Sequence, residues 1–194
     1  MANTLEELDK ITIAAAAAVD GYCVGGGLEI TMACDFVICT EGSRWGMPEV
    51  DWGITPGWGG TTRMARLIGR RMAKEINLLG ALHPARRGLE LGLFNRVVPA
   101  SRLEAETQAL AELLLLKNQQ GLRQLKFILN KGIEADLYTA QGFEALQAGF
   151  TSATLGQWKV ADSDAEHGWS GYKESNAAGA AKARRAASKD FWVV

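Results

Sequence analysis

Three successive glycines, Gly25-Gly26-Gly27, stand between an apolar stretch ending at Cys23-Val24 and a helix-prone stretch from Leu28. Glycine lets the backbone take positive φ and approach another group with no Cβ in the way. A strand arriving and a helix leaving at such a point make a tight turn, and the first amides of the helix lack carbonyl partners within it. With a helix start at Gly27, those amides and the positive end of the helix dipole face whatever lies above. Two readings stay open. The glycines serve only packing, or they form an anion-binding turn that stabilises a carbonyl oxygen gaining charge.

Around this turn the chain reads as short strands and helices. Residues 4–9 look like a helix end, and Ile11 to Val19 is an apolar run closed by the turn signal Asp20-Gly21, expected as a buried strand. Cys23-Val24 is a second extended piece, Leu28 to Cys34 a helix, Phe36 to Cys39 a strand, and Ser43 to Trp45 a brief one. Residues 51–60, rich in glycine and holding Pro56, read as a loop. Helices are then expected from Met64 to Gly69, from Met72 to Leu79 and from Pro84 to Leu91, with Gly92 as a C-cap. Phe94 to Val98 is a strand closed by Pro99, and Leu103 to Lys117 a helix. Leu122, Leu125, Ile128 and Leu129 share one helical face; Leu137, Phe143, Leu146 and Phe150 share another. Residues 176–188 are alanine-rich, an exposed helix or a tail without structure. There is no internal sequence repeat and no long linker.

The 194 residues suit one domain with a small appendage, and 47% hydrophobic against 22% charged residues is a globular composition. With 21 basic and 22 acidic residues the net charge is −1, which argues against a general nucleic-acid surface. Cys23, Cys34 and Cys39 have no metal-ligand spacing with the two histidines, His83 and His167, and read as reduced core thiols of a cytoplasmic-type compartment. The run from Ile11 to Val19 follows Glu6, Glu7 and Asp9, the wrong charge for a secretory leader, and is too short to span a bilayer.

Two acids draw attention. Glu29 follows the glycine turn and falls in the first turn of a helix, where its dipole favours a carboxylate. Glu49 follows Pro48, which stiffens its entry, and has Trp45, Met47, Val50 and Trp52 as apolar neighbours. Each has a plain alternative: helix-start electrostatics for Glu29, a solvated loop acid for Glu49. Two carboxyl groups at one reacting centre can divide acid and base roles between them. The loop Thr55-Pro56-Gly57-Trp58-Gly59-Gly60-Thr61 is either a glycine turn before a helix or a backbone wall of a pocket. Asp35 reads as a buried, hydrogen-bonded structural acid, His83 as a surface residue and His167 as lying near a helix end.

Taken together, these motifs resemble a known family. The string Ala17-Ala18-Val19-Asp20-Gly21-Tyr22-Cys23-Val24-Gly25-Gly26-Gly27-Leu28-Glu29 is similar to the signature of the enoyl-CoA hydratase/isomerase, or crotonase, family. Gly46-Met47-Pro48-Glu49-Val50, Gly53-Ile54-Thr55-Pro56-Gly57-Trp58-Gly59-Gly60-Thr61 and Leu91-Gly92-Leu93-Phe94-Asn95-Arg96-Val97-Val98-Pro99 continue it in order and spacing. The resemblance implies an α/β fold, a spiral of ββα turns followed by a helical trimerisation region. It implies a partial spiral core over residues 1–100 and a helical oligomerisation region over 101–172, and the composition adds an alanine-rich basic tail over 173–194. The implied partners are an acyl-CoA thioester and further copies of the chain, as a trimer or a dimer of trimers. No nucleic acid, membrane, metal or separate cofactor is implied, coenzyme A being part of the substrate.

Carried over by position, Gly26 resembles the second of two backbone oxyanion donors. Glu29 and Glu49 resemble the two acids that orient and activate water for addition across an α,β double bond, one of them protonating the α-carbon. Gly25, Pro48, Trp52 and Gly57 fall at substrate-lining positions, Gly57 where the backbone helps hold the water. Departures narrow the choice. Gly57 stands where dienoyl-CoA isomerases and hydroxyacyl-CoA hydrolases resemble each other in having Asp. Many isomerases and the hydroxycinnamoyl-CoA hydratase-lyases lack an acid at the position of Glu29. Both acids favour hydration. The loop Val50 to Gly57 is nevertheless similar to that of the hydratase-lyases, Trp45 stands where phenylalanine is usual, and Trp52 and Trp58 add bulk. An aromatic or cyclic acyl group is therefore a second expectation. In the family, spiral turns with the first oxyanion donor and much of the adenine pocket precede the strand at Ile11, so the chain is expected to be N-terminally truncated relative to it. A non-catalytic crotonase-like fragment or assembly subunit is the third.

Overall fold

The computed structural model describes residues 14–155, with side chains to residue 149. The expected helix over residues 4–9, the tail and His167 lie outside them. The chain divides into two compact units between Gln108 and Ala109.

The first unit is built from short strands shared between two sheets. Strand β1 (Ala16–Val19) and β2 (Tyr22–Val24) lead into helix α1 (Gly26–Thr31); β3 (Phe36–Thr40) and β4 (Arg44–Gly46) lead into a 3-10 turn (Pro48–Trp52) and helices α2 (Gly60–Ile68) and α3 (Arg70–Leu79). A two-residue β5 (His83–Pro84), α4 (Ala85–Leu91), β6 (Arg96–Val98) and a 3-10 turn (Ala100–Arg102) follow. One sheet has the order β1-β3-β6 and the other β2-β4-β5. The first two passes each lay one strand in each sheet and then turn through a helix, which is the expected ββα spiral, while in the third β5 runs antiparallel to β4 and the helix α4 separates it from β6. The β1–β3 pairing is parallel and sets Ala16 beside Phe36 and Val19 beside Cys39. Residue n of β1 therefore stands beside residue n + 20 of β3, whereas β2 and β4 pair Tyr22 with Arg44. The repeat is one of backbone geometry, not sequence: an alanine-rich strand and a β-branched, aromatic one occupy equivalent places.

Strand β3 is central and paired on both edges, and Val37, Ile38, Cys39 and Thr40 are all buried. Such a strand is apolar almost throughout, as its sequence is. Residues 11–13 of the first expected strand lie outside the described residues, and within these the strand starts at Ala16. Ala14 and Ala15 stand outside the ladder, and Ala15 instead serves Asp35: its N–H donates to Asp35 Oδ2 at 2.7 Å and its carbonyl accepts from Asp35 N at 2.9 Å. Asp35 is thus the hydrogen-bonded acid expected, though half-buried. The β6 strand also starts late. Asn95 extends it with its side chain, accepting Val37 N–H on Oδ1 at 2.7 Å while donating its own N–H to Val37 O at 2.8 Å. Helix α1 begins one residue before the expected glycine and ends early, because Ala33 and Cys34 close i→i−3 turns onto Ile30 and Thr31.

The core gathers Leu28, Trp45, Met47, Met64, Ile76 and Phe94. Trp45 is fully buried, donates Nε1–H to Pro84 O at 3.0 Å and meets the edge of Phe94 at 5.9 Å. Its bulk therefore fills the core and offers nothing to a ligand. His83 is not the surface residue expected: its ring lies 4.9 Å from that of Trp45, and Nε2 is buried without a hydrogen-bond partner. Cys23 and Cys39 are buried free thiols, whereas Cys34 is only half-buried.

In the second unit, α6 (Gln119–Gly132) is capped by Asn118, which accepts Gly121 N–H at 2.9 Å, and meets α7 (Leu137–Leu155) through Phe127 and Phe143. The helix α5 spans Leu103–Leu115. Asp136 caps α7 through Thr139, and these hydrogen bonds hold its carboxyl below the usual carboxylate range. The two apolar stripes are only partly covered: Leu125, Leu129, Leu137 and Leu146 stay exposed.

Two outcomes follow from the first unit. Glu106 is buried between Arg96, at 2.6 Å, and Arg102. Replacing it by Gln removes the buried carboxylate paired with Arg96 and should lower unfolding free energy by about 3–5 kcal/mol, read as a fall in urea midpoint at constant slope. Burial pushes the Cys39 thiol up from 9.0 to about 12, with Cys23 adding to the rise. Above pH 9 the unfolded chain loses this proton while the folded chain keeps it. Stability should therefore fall from pH 9 to about 12, by about 1.4 kcal/mol per pH unit for this thiol. A Cys39→Ala chain should show a shallower alkaline decline in the same titration.

Candidate active site

Gly25 ends β2 and caps α1 with φ 51° and ψ −124°, a conformation glycine alone takes easily. Its N–H donates to Gly46 O at 3.1 Å, tying the end of β2 to the end of β4 one turn on. Its carbonyl accepts from Glu29 N at 3.0 Å and so closes the first turn of α1. The amides of Gly26, Gly27 and Leu28 come before any i−4 carbonyl of that helix.

Glu29 is buried, at 3% exposure, and its Oε1 accepts two backbone hydrogen bonds, from Trp58 N and Gly60 N, each 2.7 Å. Gly60 opens α2, and its N-cap Gly59, at φ 101°, has no side chain to cap with. A carboxylate of the previous turn therefore does the capping, where free amides and the helix dipole favour negative charge. Gly60 has to be glycine. A Cβ there would lie 2.5 Å from Met47 Cε, 2.8 Å from Pro56 Cβ and 2.9 Å from Glu29 Oε1.

Glu49 occupies the first turn of the 3-10 segment begun by Pro48 and is half-buried. Its position is Glu29's plus twenty, the same step that separates paired residues of β1 and β3. Its Oε1 approaches within 3.0 Å of the point a Gly25 Cβ would occupy, while Oε2 is buried with no hydrogen-bond partner. A buried carboxylate oxygen with nothing to accept from is costly unless a ligand or water supplies the donor. The apolar sequence neighbours do not all surround it, since Trp45 and Met47 are buried but Val50 and Trp52 are largely exposed.

Gly26 meets Trp58. A Cβ on Gly26 would come within 2.5 Å of Trp58 Cζ3 and 3.0 Å of Cε3. Trp58 is held at both ends of its backbone, its N–H on Glu29 and its carbonyl accepting from Arg63 Nη1 at 2.8 Å.

Of the expected site residues, Glu29, Glu49, Gly25 and Gly26 are thus brought to the N-terminal end of α1. Pro48 adjoins Glu49, and Gly57 is exposed in the loop before Trp58. Trp52 is 77% exposed and stands on the surface. The amides of Trp58 and Gly60 had no role in the sequence reading. Their signal was present in Gly59-Gly60 before a helix, which places uncapped amides at the end of that loop. Among the described residues no group of three or more His, Cys, Asp and Glu could hold a metal ion, and no helix is long and apolar enough to cross a membrane.

The profile of the Enoyl-CoA hydratase/isomerase family matches residues 1–178. The chain belongs to the crotonase family. It is 39% identical over 153 residues to a crotonyl-CoA hydratase of Syntrophomonas wolfei, covering 79% of this chain and 58% of that protein. It is 40% identical over 141 residues to a short-chain-enoyl-CoA hydratase of Clostridium acetobutylicum, covering 73% and 53%. The fold matches an enoyl-CoA hydratase subunit from Geobacillus kaustophilus with TM-score 0.76 at 34% identity, over 78% of this chain and 59% of that one. A putative enoyl-CoA hydratase from Thermobifida fusca, solved in complex with CoA, matches with TM-score 0.76 at 28% identity, over 80% and 61%. This crotonase-family chain spans somewhat more than half the length of the curated relatives it matches.

A Gly60→Ala substitution tests the Glu29 clamp. The added methyl should push Glu29 off the amides and cost about 1–3 kcal/mol of stability, whereas Gly57→Ala, with nothing within 4 Å of its Cβ, should leave the thermal midpoint nearly unchanged.

Proposed function

We propose that this chain carries the hydration half-site of an enoyl-CoA hydratase and adds water across the α,β double bond of an enoyl-CoA thioester. The observation that carries the reading is the pair of acids: Glu29 fixed through one oxygen by two amides, and Glu49 with a buried, unbonded Oε2. Relatives named as crotonyl-CoA and short-chain-enoyl-CoA hydratases support the same chemistry.

In this reading the thioester oxygen lies against Gly26 N–H at the uncapped start of α1. Charge moving onto that oxygen as the β-carbon is attacked is stabilised there. One acid takes a proton from water as its oxygen bonds to the β-carbon; the other delivers a proton to the α-carbon. The hydroxyl and the hydrogen added sum to one water, so the acids return to their starting states after proton exchange. Fixing Glu29 by backbone amides keeps one acceptor oriented without loss of side-chain freedom at each turnover. Coenzyme A enters as part of the substrate, and the proposed chemistry draws on no other cofactor. Pro48 and Gly25 hold the two acids' backbones, and Gly57 and Trp52 offer exposed surface along the same loop.

We also propose self-association as a trimer or a dimer of trimers, supported by the exposed Leu125, Leu129, Leu137 and Leu146. A cytoplasmic-type location fits the free thiols. Light scattering of the purified chain reads the mass directly, and a monomer at micromolar concentration would overturn the assembly.

The test of function is loss of enoyl absorbance with crotonyl-CoA, alongside an aromatic enoyl-CoA. Glu29→Gln and Glu49→Gln should each lower kcat by about 10²–10⁴-fold with the fold intact by circular dichroism. Preference for the aromatic substrate would favour the hydratase-lyase reading. Unchanged rates in both variants, or no turnover of either substrate by the folded chain, would favour a non-catalytic fragment.

A further inference from the structure

We infer that Trp58 is the residue that sets acyl-group size at this site, selecting short, flat acyl chains over long ones. The inference rests on the acyl-CoA reading above but depends on binding rather than turnover.

Three contacts place the indole. Its benzo edge lies against Gly26, close enough that a Cβ there would sit 2.5 Å from Cζ3, 3.0 Å from Cε3 and 3.4 Å from Cη2. The backbone N–H of Trp58 is bound to Glu29 Oε1 at 2.7 Å. Its carbonyl receives Arg63 Nη1 at 2.8 Å. Backbone bonds on both sides of one residue leave the side chain little choice of position, and the missing Cβ of Gly26 provides the space the ring fills.

The side of the substrate that Trp58 touches follows from chemistry. A thioester oxygen held at Gly26 has sulfur on one side of the carbonyl carbon and the acyl chain on the other. The acids must lie by the alkene carbons, which are on the acyl side. Trp58 is bonded to Glu29 and so lies on that side too. A planar enoyl group conjugated to its carbonyl can lie against an indole, whereas a longer chain must find room past it. Trp45 cannot share this role because it is fully buried in the core, and Trp52 stands exposed on the surface.

Binding of saturated acyl-CoA thioesters, which the site cannot hydrate, isolates the effect. Affinities of butyryl-CoA and decanoyl-CoA are measured by calorimetry for the natural chain, Trp58→Phe and Trp58→Ala. The ratio of butyryl to decanoyl affinity should fall roughly tenfold or more in Trp58→Ala, the scale at which a pocket discriminates methylene groups, with Trp58→Phe between. The decanoyl affinity itself should rise, which mere loosening of the loop would not produce. Equal weakening of both ligands, an unchanged ratio in Trp58→Phe and Trp58→Ala, or no binding of either thioester to the natural chain would overturn the inference. Should Trp58→Ala fail to fold, the phenylalanine variant decides alone: a ratio equal to that of the natural chain overturns the inference and a smaller one supports it. Binding with the expected ratios but no turnover of crotonyl-CoA would sink the hydration reading and leave the role of Trp58 standing.

Discussion

One carboxylate holds the site together. Glu29 Oε1 receives the amides of Trp58 and Gly60, and through them α1 of one spiral turn is joined to the start of α2 in the next. Neither glycine at that helix start has a side chain with which to cap it. Without Glu29 two amides lose their acceptor, the ring of Trp58 loses its anchor, and the loop from residue 53 to residue 59 has no fixed end. A charged acceptor on two backbone donors is worth more than the same bonds between neutral groups. The acid is therefore structural before it is chemical, and any activity it supports uses a group whose position is already determined.

Glu49 is the opposite case. Its backbone is stiff, because Pro48 opens the 3-10 turn and Gly53, at φ 67°, closes it. Its side chain has a buried oxygen with no donor. The fold thus accepts an unfavourable polar burial at one acid while satisfying the other, an asymmetry in keeping with two carboxyl groups that do different things. Local conflicts of this kind gather at functional sites, where the surrounding structure over-determines the geometry.

Much of this was legible in the residues and some was not. The glycine turn, the strand at Phe36 and the helices ending at Gly69, Gly80 and Gly92 follow from turn chemistry and β-branching. The exceptions have physical causes. Ala15 looks like strand but is diverted by the Asp35 side chain, and Asn95 looks like strand and supplies half its pairing from its side chain. Trp45 and Trp58 are alike in sequence terms, each beside a glycine, yet one is sealed in the core and the other lies against Gly26 at the glycine turn. His83, beside a proline, is drawn inward by Trp45. Such outcomes depend on which turn of the spiral lies opposite, information that local pattern does not hold.

The n to n + 20 step between β1 and β3 turns chemistry into a question of chain length. One circuit of the backbone pairs Ala16 with Phe36 in one sheet and Tyr22 with Arg44 in the other, so the connection from β3 to β4 is longer than that from β1 to β2. Side chains along that circuit are free to change so long as the core stays filled. The number of residues within a paired strand is not, since one added or removed inside β3 or β4 would turn the rest of that strand over. Residues 53–57, exposed except for Pro56 and outside the ladders, carry no such count. Variation in this family branch is accordingly expected as substitutions within the circuit and as length changes only in the loop beside it.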